Sequence, residues 1–348
     1  MKLKNMYNKI FKSLSAQDFK YIELPSIIET NHIVQRSGED FRKYIFSFYN
    51  QEGKELCLRP DLTIASCLQY LKNKNKNKAK LFYKGEAYRK TLKFNDSIIK
   101  NQIGFEIIGS KKEKNDDKEI VDTSIKSLSS FKYTSGIMII GNLEIFRLFV
   151  NKLEIPERWK LRLVRHFWRK KYFNELLTRL ETNSDINRNI IEIDKKKFSQ
   201  MLNENQNKIV AGRTIGEILK RFEYKINDPR KVSKGKRVSK LIKKFLKIKC
   251  PIGDAAKNLN SFFKKNKINL FVDQNYFPIS KNNVAKIKVQ FSTSLGRELE
   301  YYTGINFTIA INYGGKNINI INGGRYDNLI RNLGGKKKIP AVGAAINI

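Results

Sequence analysis

At 348 residues and 41% hydrophobic, the chain is long enough to bury a large core, and its length suits one large domain or two moderate ones. Three cysteines (Cys57, Cys67, Cys250) without CxxC spacing exclude a disulfide framework and a cysteine zinc site, and the distant pair His32 and His166 has no metal-ligand spacing. The formal charge of +36 admits two readings, a nucleic-acid surface or a compositional bias that writes Lys beside Asn and Ile along the whole chain; with no aromatic-interleaved basic motif, only non-specific RNA binding follows from it.

In chain order, residues 1–71 read as a helix, a strand around Tyr21–Leu24 ending at Pro25, and a hairpin. The aromatic run 44–49 favours strand, Gln51-Glu52-Gly53-Lys54 is turn chemistry, and Glu55–Leu58 returns as the second strand. Asp61–Leu71 is helical, with Leu62, Ala65, Leu68 and Leu71 on one face. Lys72–Lys80 and Lys111–Lys118 are polar enough to read as solvated loops, the second preceding a helix near Glu119–Phe131. Between them, the strand 101–108 sends Ile103, Phe105 and Ile107 to one face and Gln102, Gly104 and Glu106 to the other. Such alternation serves any one-sided sheet, or a pocket wall.

From about 151 the pattern turns helical and polar, ending in the basic stretch Asp228–Lys249. Ile305, Phe307, Ile309 and Ile311 then alternate with Asn306, Thr308 and Ala310, and Tyr313-Gly314-Gly315-Lys316 turns the chain into a further strand. The expected class is α+β, a mainly antiparallel sheet flanked by helices with a helical insertion. The expected division is a core in two parts, 1–150 and 266–348, around a mostly helical basic insertion at 151–265. No apolar signal core opens the chain and no run of roughly eighteen apolar residues occurs, so the expectation is a cytoplasmic protein with no membrane partner.

GxGxxG, GxxxxGK[ST] and GxSxG patterns are absent. Three other phrases stand in fixed order: Leu58-Arg59-Pro60-Asp61-Leu62-Thr63, then residues 296–304 with Gly296-Arg297 and Tyr301-Tyr302-Thr303-Gly304, then Gly323-Gly324-Arg325-Tyr326-Asp327-Asn328-Leu329. Together these resemble the core of the histidyl-tRNA synthetases, a class II aminoacyl-tRNA synthetase fold. The form of the Tyr301 phrase resembles their non-synthetase relatives, the regulatory subunits of ATP phosphoribosyltransferase. The similarity runs from about Phe19 to the C-terminus and is weakest across 151–265.

The resemblance implies that Asp61 and Thr63, with Gln102 beside them, stand where the family holds the α-ammonium of histidine. Glu106 and Tyr301 fall where the imidazole is contacted, and Arg89 and Arg297 where a carboxylate or phosphate is met. The chemistry agrees, since an ammonium needs oxygen acceptors, an imidazole N–H prefers a charged acceptor, and a guanidinium fork suits a carboxylate. Gly104 is expected to leave room for a ligand. As strand neighbours, Tyr301 and Tyr302 would face opposite ways, one lining the pocket and one in the core. Gly323-Gly324 would give a close backbone approach, Tyr326–Asn332 would start a helix stopped at Gly334, and Arg325 reads equally as an ion-pair partner or a ligand contact.

The departures from the synthetase pattern shape the expected function. No arginine follows Pro340-Ala341-Val342-Gly343, Asn347 stands where the synthetases have glycine, and Arg89-Lys90-Thr91-Leu92-Lys93 lacks the Arg-x-Glu that orients ATP. No anticodon-binding domain is expected, and Asp61 is one methylene shorter than the usual glutamate. Adenylate formation needs charge clamps on the transferring phosphates, so no aminoacylation, no catalysis and no cofactor are expected. The resemblance implies a regulatory subunit required by the short-form ATP phosphoribosyltransferase catalytic subunit, in the first step of histidine biosynthesis, with histidine as feedback ligand. The region Phe19–Glu29 matches where class II folds pair, implying a homodimer within a hetero-oligomer. The alternative is a synthetase-like RNA-binding module without aminoacylation activity.

Overall fold

The computed structural model describes residues 2–37, 39–72, 78–91, 97–182, 200, 203–204, 208–210, 213–226, 231–278, 286–296 and 301–348. The chain forms two compact units, Met1–Glu144 with Lys249–Asn258 and Val272–Ile348, and Ile145–Ile248 with Leu259–Phe271.

The first unit opens with helix α1 (Lys2–Ser15), strand β1 (Lys20–Tyr21), β2 (Ile27–Glu29), α2 (Asn31–Ser37), β3 (Ser47–Tyr49), β4 (Glu55–Leu58) and α3 (Leu62–Lys72). It continues through β5 (Ala79–Tyr88), β6 (Ile99–Ile108), α4 (Glu113–Ser127) and β7 (Gly136–Asn142) into α5 (Leu143–Asn151), which leads into the second unit. There follow α6 (Glu157–Arg165), α7 (Lys170–Leu180), the short pair β8 (Ile209–Val210) and β9 (Arg213–Thr214), α8 (Ile215–Ile226) and α9 (Val232–Phe245). The rest of the chain is β10 (Lys249–Pro251), α10 (Ala255–Lys265), β11 (Ile287–Ser292), β12 (Ile305–Tyr313), β13 (Lys316–Arg325), α11 (Leu329–Asn332) and β14 (Ala341–Asn347).

The first unit is built on a nine-stranded sheet in the order β1-β5-β6-β14-β13-β12-β7-β11-β10. Pairing is antiparallel from β5 through to β7, and parallel where β1 meets β5 and β11 meets β7. Ile103, Phe105 and Ile107 of β6 go to one face, where Ile10 and Leu14 of α1 and Ile120 and Val121 of α4 cover them. The other face packs against α3 and α11 through Ile64, Cys67, Tyr70, Leu329 and Ile330. The alternation of 101–108 therefore has a physical cause: one face meets an apolar helix layer, and the other carries Gln102 and the buried Glu106 before closing against α3 at Ile108. The β12–β13 hairpin turns through Gly314 and Gly315, whose φ values of 58° and 80° are those that favour glycine.

Several elements differ from the sequence expectation. The stretch 111–118 is not a loop, because α4 begins at Glu113; its Asp116 and Asp117 are buried in ion pairs with Lys78 and Arg325 that a hydropathy pattern cannot show. Strand structure in 44–49 is confined to Ser47–Tyr49, since a 3₁₀ turn occupies Glu39–Tyr44. Likewise the strand expected at Tyr21–Leu24 is only Lys20–Tyr21, and β2 forms after Pro25. Lys80 is not solvated loop; it sits in β5, paired with Glu119 at 2.5 Å and donating to the Gln17 carbonyl. Residues 73–77 lie outside the described ones. Helix α3 buries Ile64 and Cys67 along with Leu62 and Ala65, whereas Leu68 and Leu71 are half-buried. The last helix starts at Leu329 rather than Tyr326, and Gly334 follows it with φ 98°.

Within the second unit, α5, α6, α7, α9 and α10 enclose an aromatic interior. Phe149 stacks on Phe245 at 4.4 Å between ring centroids, and Phe146 lies 4.1 Å from Phe167. Trp159, Phe173 and Phe263 are fully buried. Among the described residues no helix of either unit is long and apolar enough to cross a membrane.

Candidate functional site

The site is laid out by register across β5, β6 and β14. Gly85, Gln102 and Asn347 form one row, Tyr83, Gly104 and Ala345 the next, and Leu81, Glu106 and Gly343 the third. The period-two pleat sends the β6 members of these rows to one face. Glu106 lies at the bottom, 1% exposed. The Tyr83 hydroxyl donates to its Oε1 and the Tyr326 hydroxyl to its Oε2, each at 2.5 Å. Gly343 makes this possible, because a Cβ there would fall 1.4 Å from Glu106 Oε2.

Burial pushes the Glu106 carboxyl up to about 7; hydrogen bonds from Tyr326, Tyr83 and Thr63 work against burial, and the Asp61 charge adds to the rise. The Tyr83 and Tyr326 hydroxyls are raised well above the usual phenol value, first by burial and then by the Glu106 charge. Gly104 does clear space, but a Cβ there would lie 2.3 Å from the Tyr83 ring. The room expected above Gly104 is therefore filled by a side chain of the protein itself.

Asp61 sits above this floor at the start of α3, where its Oδ1 accepts the Ile64 N–H at 3.1 Å and caps the helix. Its Oδ2 is left for the site: the Tyr301 hydroxyl donates to it at 3.3 Å, and Arg89 Nη2 approaches to 3.6 Å. Arg89 is itself steered by a bond from Nε to the Pro60 carbonyl at 2.7 Å. Tyr301 and Tyr302 are not in a strand, so the facing rule does not apply to them. Their rings meet edge-on at 4.9 Å, Tyr301 also touches the Tyr326 ring at 5.9 Å, and Tyr302 covers the backbone of Gly324.

The structure thus brings Asp61, Thr63, Arg89, Glu106 and Tyr301 together, with Tyr302 against Tyr301. Gln102 shares the β6 face of Glu106 and donates from Nε2 to Asn347 Oδ1 at 2.8 Å. Arg297 lies outside the described residues. Arg325 is taken up in ion pairing: its guanidinium binds Asp117 at 2.6 Å, Asp327 at 3.0 Å and the Glu113 carbonyl. Burial pulls the Arg325 pKa down, but Asp117 and Asp327 outweigh it and raise it; burial lifts Asp117 to about 6, so the pair is ionised at neutral pH. Arg59 is likewise architectural, donating to the carbonyls of Leu24, Pro25 and Glu86.

Tyr83, Tyr326 and Gly343 were not among the residues the sequence pointed to as site members. Tyr326 lies inside the third phrase and its signal was available there. Tyr83 has none until β5 is paired with β6. Chemically, the cluster offers oxygen acceptors at Asp61, Gln102 and the tyrosine-held Glu106, and one guanidinium at Arg89. That set suits a small zwitterion with an ammonium and a ring N–H. Among the described residues no three His, Cys, Asp or Glu side chains are grouped to hold a metal ion.

Comparison with known proteins agrees with this architecture. The family model for histidyl-tRNA synthetase matches residues 1–348. The ATP phosphoribosyltransferase regulatory subunit of Brucella anthropi is 25% identical, covering 98% of this chain and 94% of its own length. That of Mesorhizobium japonicum is 26% identical, covering 97% and 94%. The crystal structure of an ATP phosphoribosyltransferase regulatory subunit/histidyl-tRNA synthetase from Bacillus halodurans is similar in fold, with a TM-score of 0.56 at 20% identity, over 99% of this chain and 77% of that one. The chain accordingly belongs to the histidyl-tRNA synthetase family, with the class II α+β fold, and its curated homologues bear the name of ATP phosphoribosyltransferase regulatory subunits.

Proposed function

We propose that this chain is a non-catalytic regulatory subunit of an ATP phosphoribosyltransferase, required by the short-form catalytic subunit in the first step of histidine biosynthesis. The observation that carries the reading is the match, over nearly the full length of both chains, to relatives named as that subunit. The loop beginning Arg89-Lys90-Thr91 without Arg-x-Glu supports the absence of aminoacylation.

Histidine is the ligand of the pocket in this reading. Its ammonium is held by Asp61, Thr63 and Gln102, and its carboxylate meets Arg89 and Arg297. Its imidazole N–H meets the acceptor group built from Glu106, Tyr83, Tyr326 and Tyr301. A tyrosine that donates to a carboxylate becomes a stronger acceptor at its own oxygen, so the Glu106 charge reaches the ligand through the hydroxyls. Feedback then needs histidine to bind one state of the complex better than the other. A homodimer is part of the same proposal; Ile27 and Phe48, exposed on the outer face of the β2-β4-β3 sheet, supply an apolar patch for it.

The test mixes the chain with a short-form catalytic subunit from the same source and follows phosphoribosyl-ATP formation with and without histidine. Activity only in the mixture, suppressed by histidine, is expected. No complex and unchanged catalytic activity would reject the regulatory reading. In the same assay, Glu106→Gln keeps activation but weakens the histidine response by roughly 10–100-fold, the cost of a lost charged hydrogen bond.

One observation favours a second reading, an RNA-binding module without aminoacylation activity. Lys236, Arg237, Lys240, Lys243 and Lys244 are all exposed along α9. In that case RNA binds the chain alone, with an affinity that falls steeply as salt rises.

A further inference from the structure

Asn347 is the last residue of β14 and stands directly across from Gln102 of β6. The Gln102 carboxamide donates from Nε2 to Asn347 Oδ1 at 2.8 Å, joining residues 245 positions apart. A carboxamide has one donor end and one acceptor end, so fixing the nitrogen also fixes where the oxygen points. No other described residue makes a hydrogen bond to the Gln102 side chain. On the opposite flank Gln102 is paired with Gly85, and the Arg59 guanidinium fills the space above that glycine, 2.3 Å from where a Cβ would be. The Arg59 guanidinium is itself engaged by the Glu86, Leu24 and Pro25 carbonyls, and the acceptor of Asn347 takes the nitrogen end of the amide. With Nε2 held by Asn347, Oε1 is the end of the amide left for the site.

We propose that Asn347 is a positioning residue: by holding the Gln102 amide nitrogen it turns Oε1 toward the pocket, and so selects ligands that carry an α-ammonium over those that lack one. The proposal rests on the reading of the pocket as a histidine site. Without Asn347 the Gln102 amide is free to rotate, and its NH₂ end would meet an ammonium as donor against donor. Asn347 touches no ligand itself; it acts through Gln102.

Titration calorimetry on the full chain with L-histidine and with 3-(imidazol-4-yl)propanoate, which lacks only the amino group, separates this role from a structural one. Asn347→Ala is expected to weaken histidine roughly tenfold while leaving the propanoate within about twofold, because only the ammonium contact is lost. Asn347→Asp retains an acceptor for Nε2 and is expected to keep histidine within about threefold of the unaltered chain. Equal losses for both ligands in Asn347→Ala, or an unchanged histidine affinity, would overturn the proposal. If the unaltered chain fails to bind histidine but still activates the catalytic subunit, the pocket reading falls and takes this proposal with it, while the regulatory role stands.

Discussion

The two units handle charge differently. In the first, ionisable groups are taken into the interior and each is met by dedicated partners: Glu106 by two tyrosine hydroxyls, and Arg325 by Asp117, Asp327 and a backbone carbonyl. In the second, the interior is mostly aromatic, with Arg158 buried against the Trp159 ring, and the named ion pairs lie at the surface, where Glu181 holds Lys243 at 2.6 Å and Glu154 holds Lys234 at 3.3 Å. Buried polar groups are costly unless fully satisfied, but once satisfied they fix geometry; an aromatic core gives stability without fixing any polar atom. The difference marks the first unit as the one whose side-chain positions carry chemical information.

The contrast breaks most severely at Arg325. Replacing it by methionine leaves Asp117 and Asp327 buried without their guanidinium, which costs about 3–5 kcal/mol. Urea unfolding followed by tryptophan-independent circular dichroism should show that loss. A change under about 1 kcal/mol would mean that Lys338, 3.4 Å from Asp327, and the Ala341 N–H already suffice.

Next in size is Glu106. Its folded pKa of about 7 lies above the ordinary 4.5, so the folded chain holds a proton that the unfolded chain has released. Its contribution to stability is therefore complete below pH 4.5 and is lost as pH rises through 7, by about 3 kcal/mol in all. Glu106→Gln cannot titrate. The stability difference between the unaltered chain and this variant should accordingly move by about 3 kcal/mol between pH 4.5 and 8, against the unaltered chain as pH rises. A difference that stays flat would show that the tyrosine hydroxyls fully offset burial.

These two residues also show what a sequence can reveal. Glu106 is legible because alternation in 101–108 separates it from Ile103, Phe105 and Ile107, and the phrase at Asp61 gives its companions. Asp117 is not legible, because a buried acid on a helix reads as a solvated one until Arg325, 208 residues away, is seen beside it. Tyr83 becomes a site residue only when register sets it opposite Gly104, and Gln102 meets Asn347 only through the β6–β14 pairing. Local pattern shows which face a side chain takes; it does not show who stands across the strand boundary.

In the second unit, a close backbone approach offers a smaller effect. A Cβ at Gly235 of α9 would fall 1.9 Å from the Leu180 carbonyl oxygen at the end of α7. Alanine is the better helix former, by about 1 kcal/mol, yet the contact is with backbone and cannot rotate away. Gly235→Ala should therefore destabilise the chain by up to about 2 kcal/mol net, the overpacking cost of about 1–3 kcal/mol less the propensity gain, in a thermal melt. A rise in melting temperature would mean that α7 and α9 separate freely at this point.

The smallest effect, and the one with the sharpest sign, lies on the solvent face of α9. Lys236, Lys240 and Lys244 are exposed and spaced four residues apart, so they stand above one another on one helix face. Like charges at this spacing destabilise a helix by about 0.2–0.5 kcal/mol per pair, and Lys240 belongs to two such pairs. Lys240→Gln should thus stabilise the chain by about 0.4–1 kcal/mol at about 10 mM salt, where the screening length is near 30 Å. At about 1 M salt, where it is near 3 Å, the gain should vanish. Were Lys240 held by a carboxylate as Lys243 is by Glu181, the same substitution would remove an attraction, and the sign at low salt would reverse.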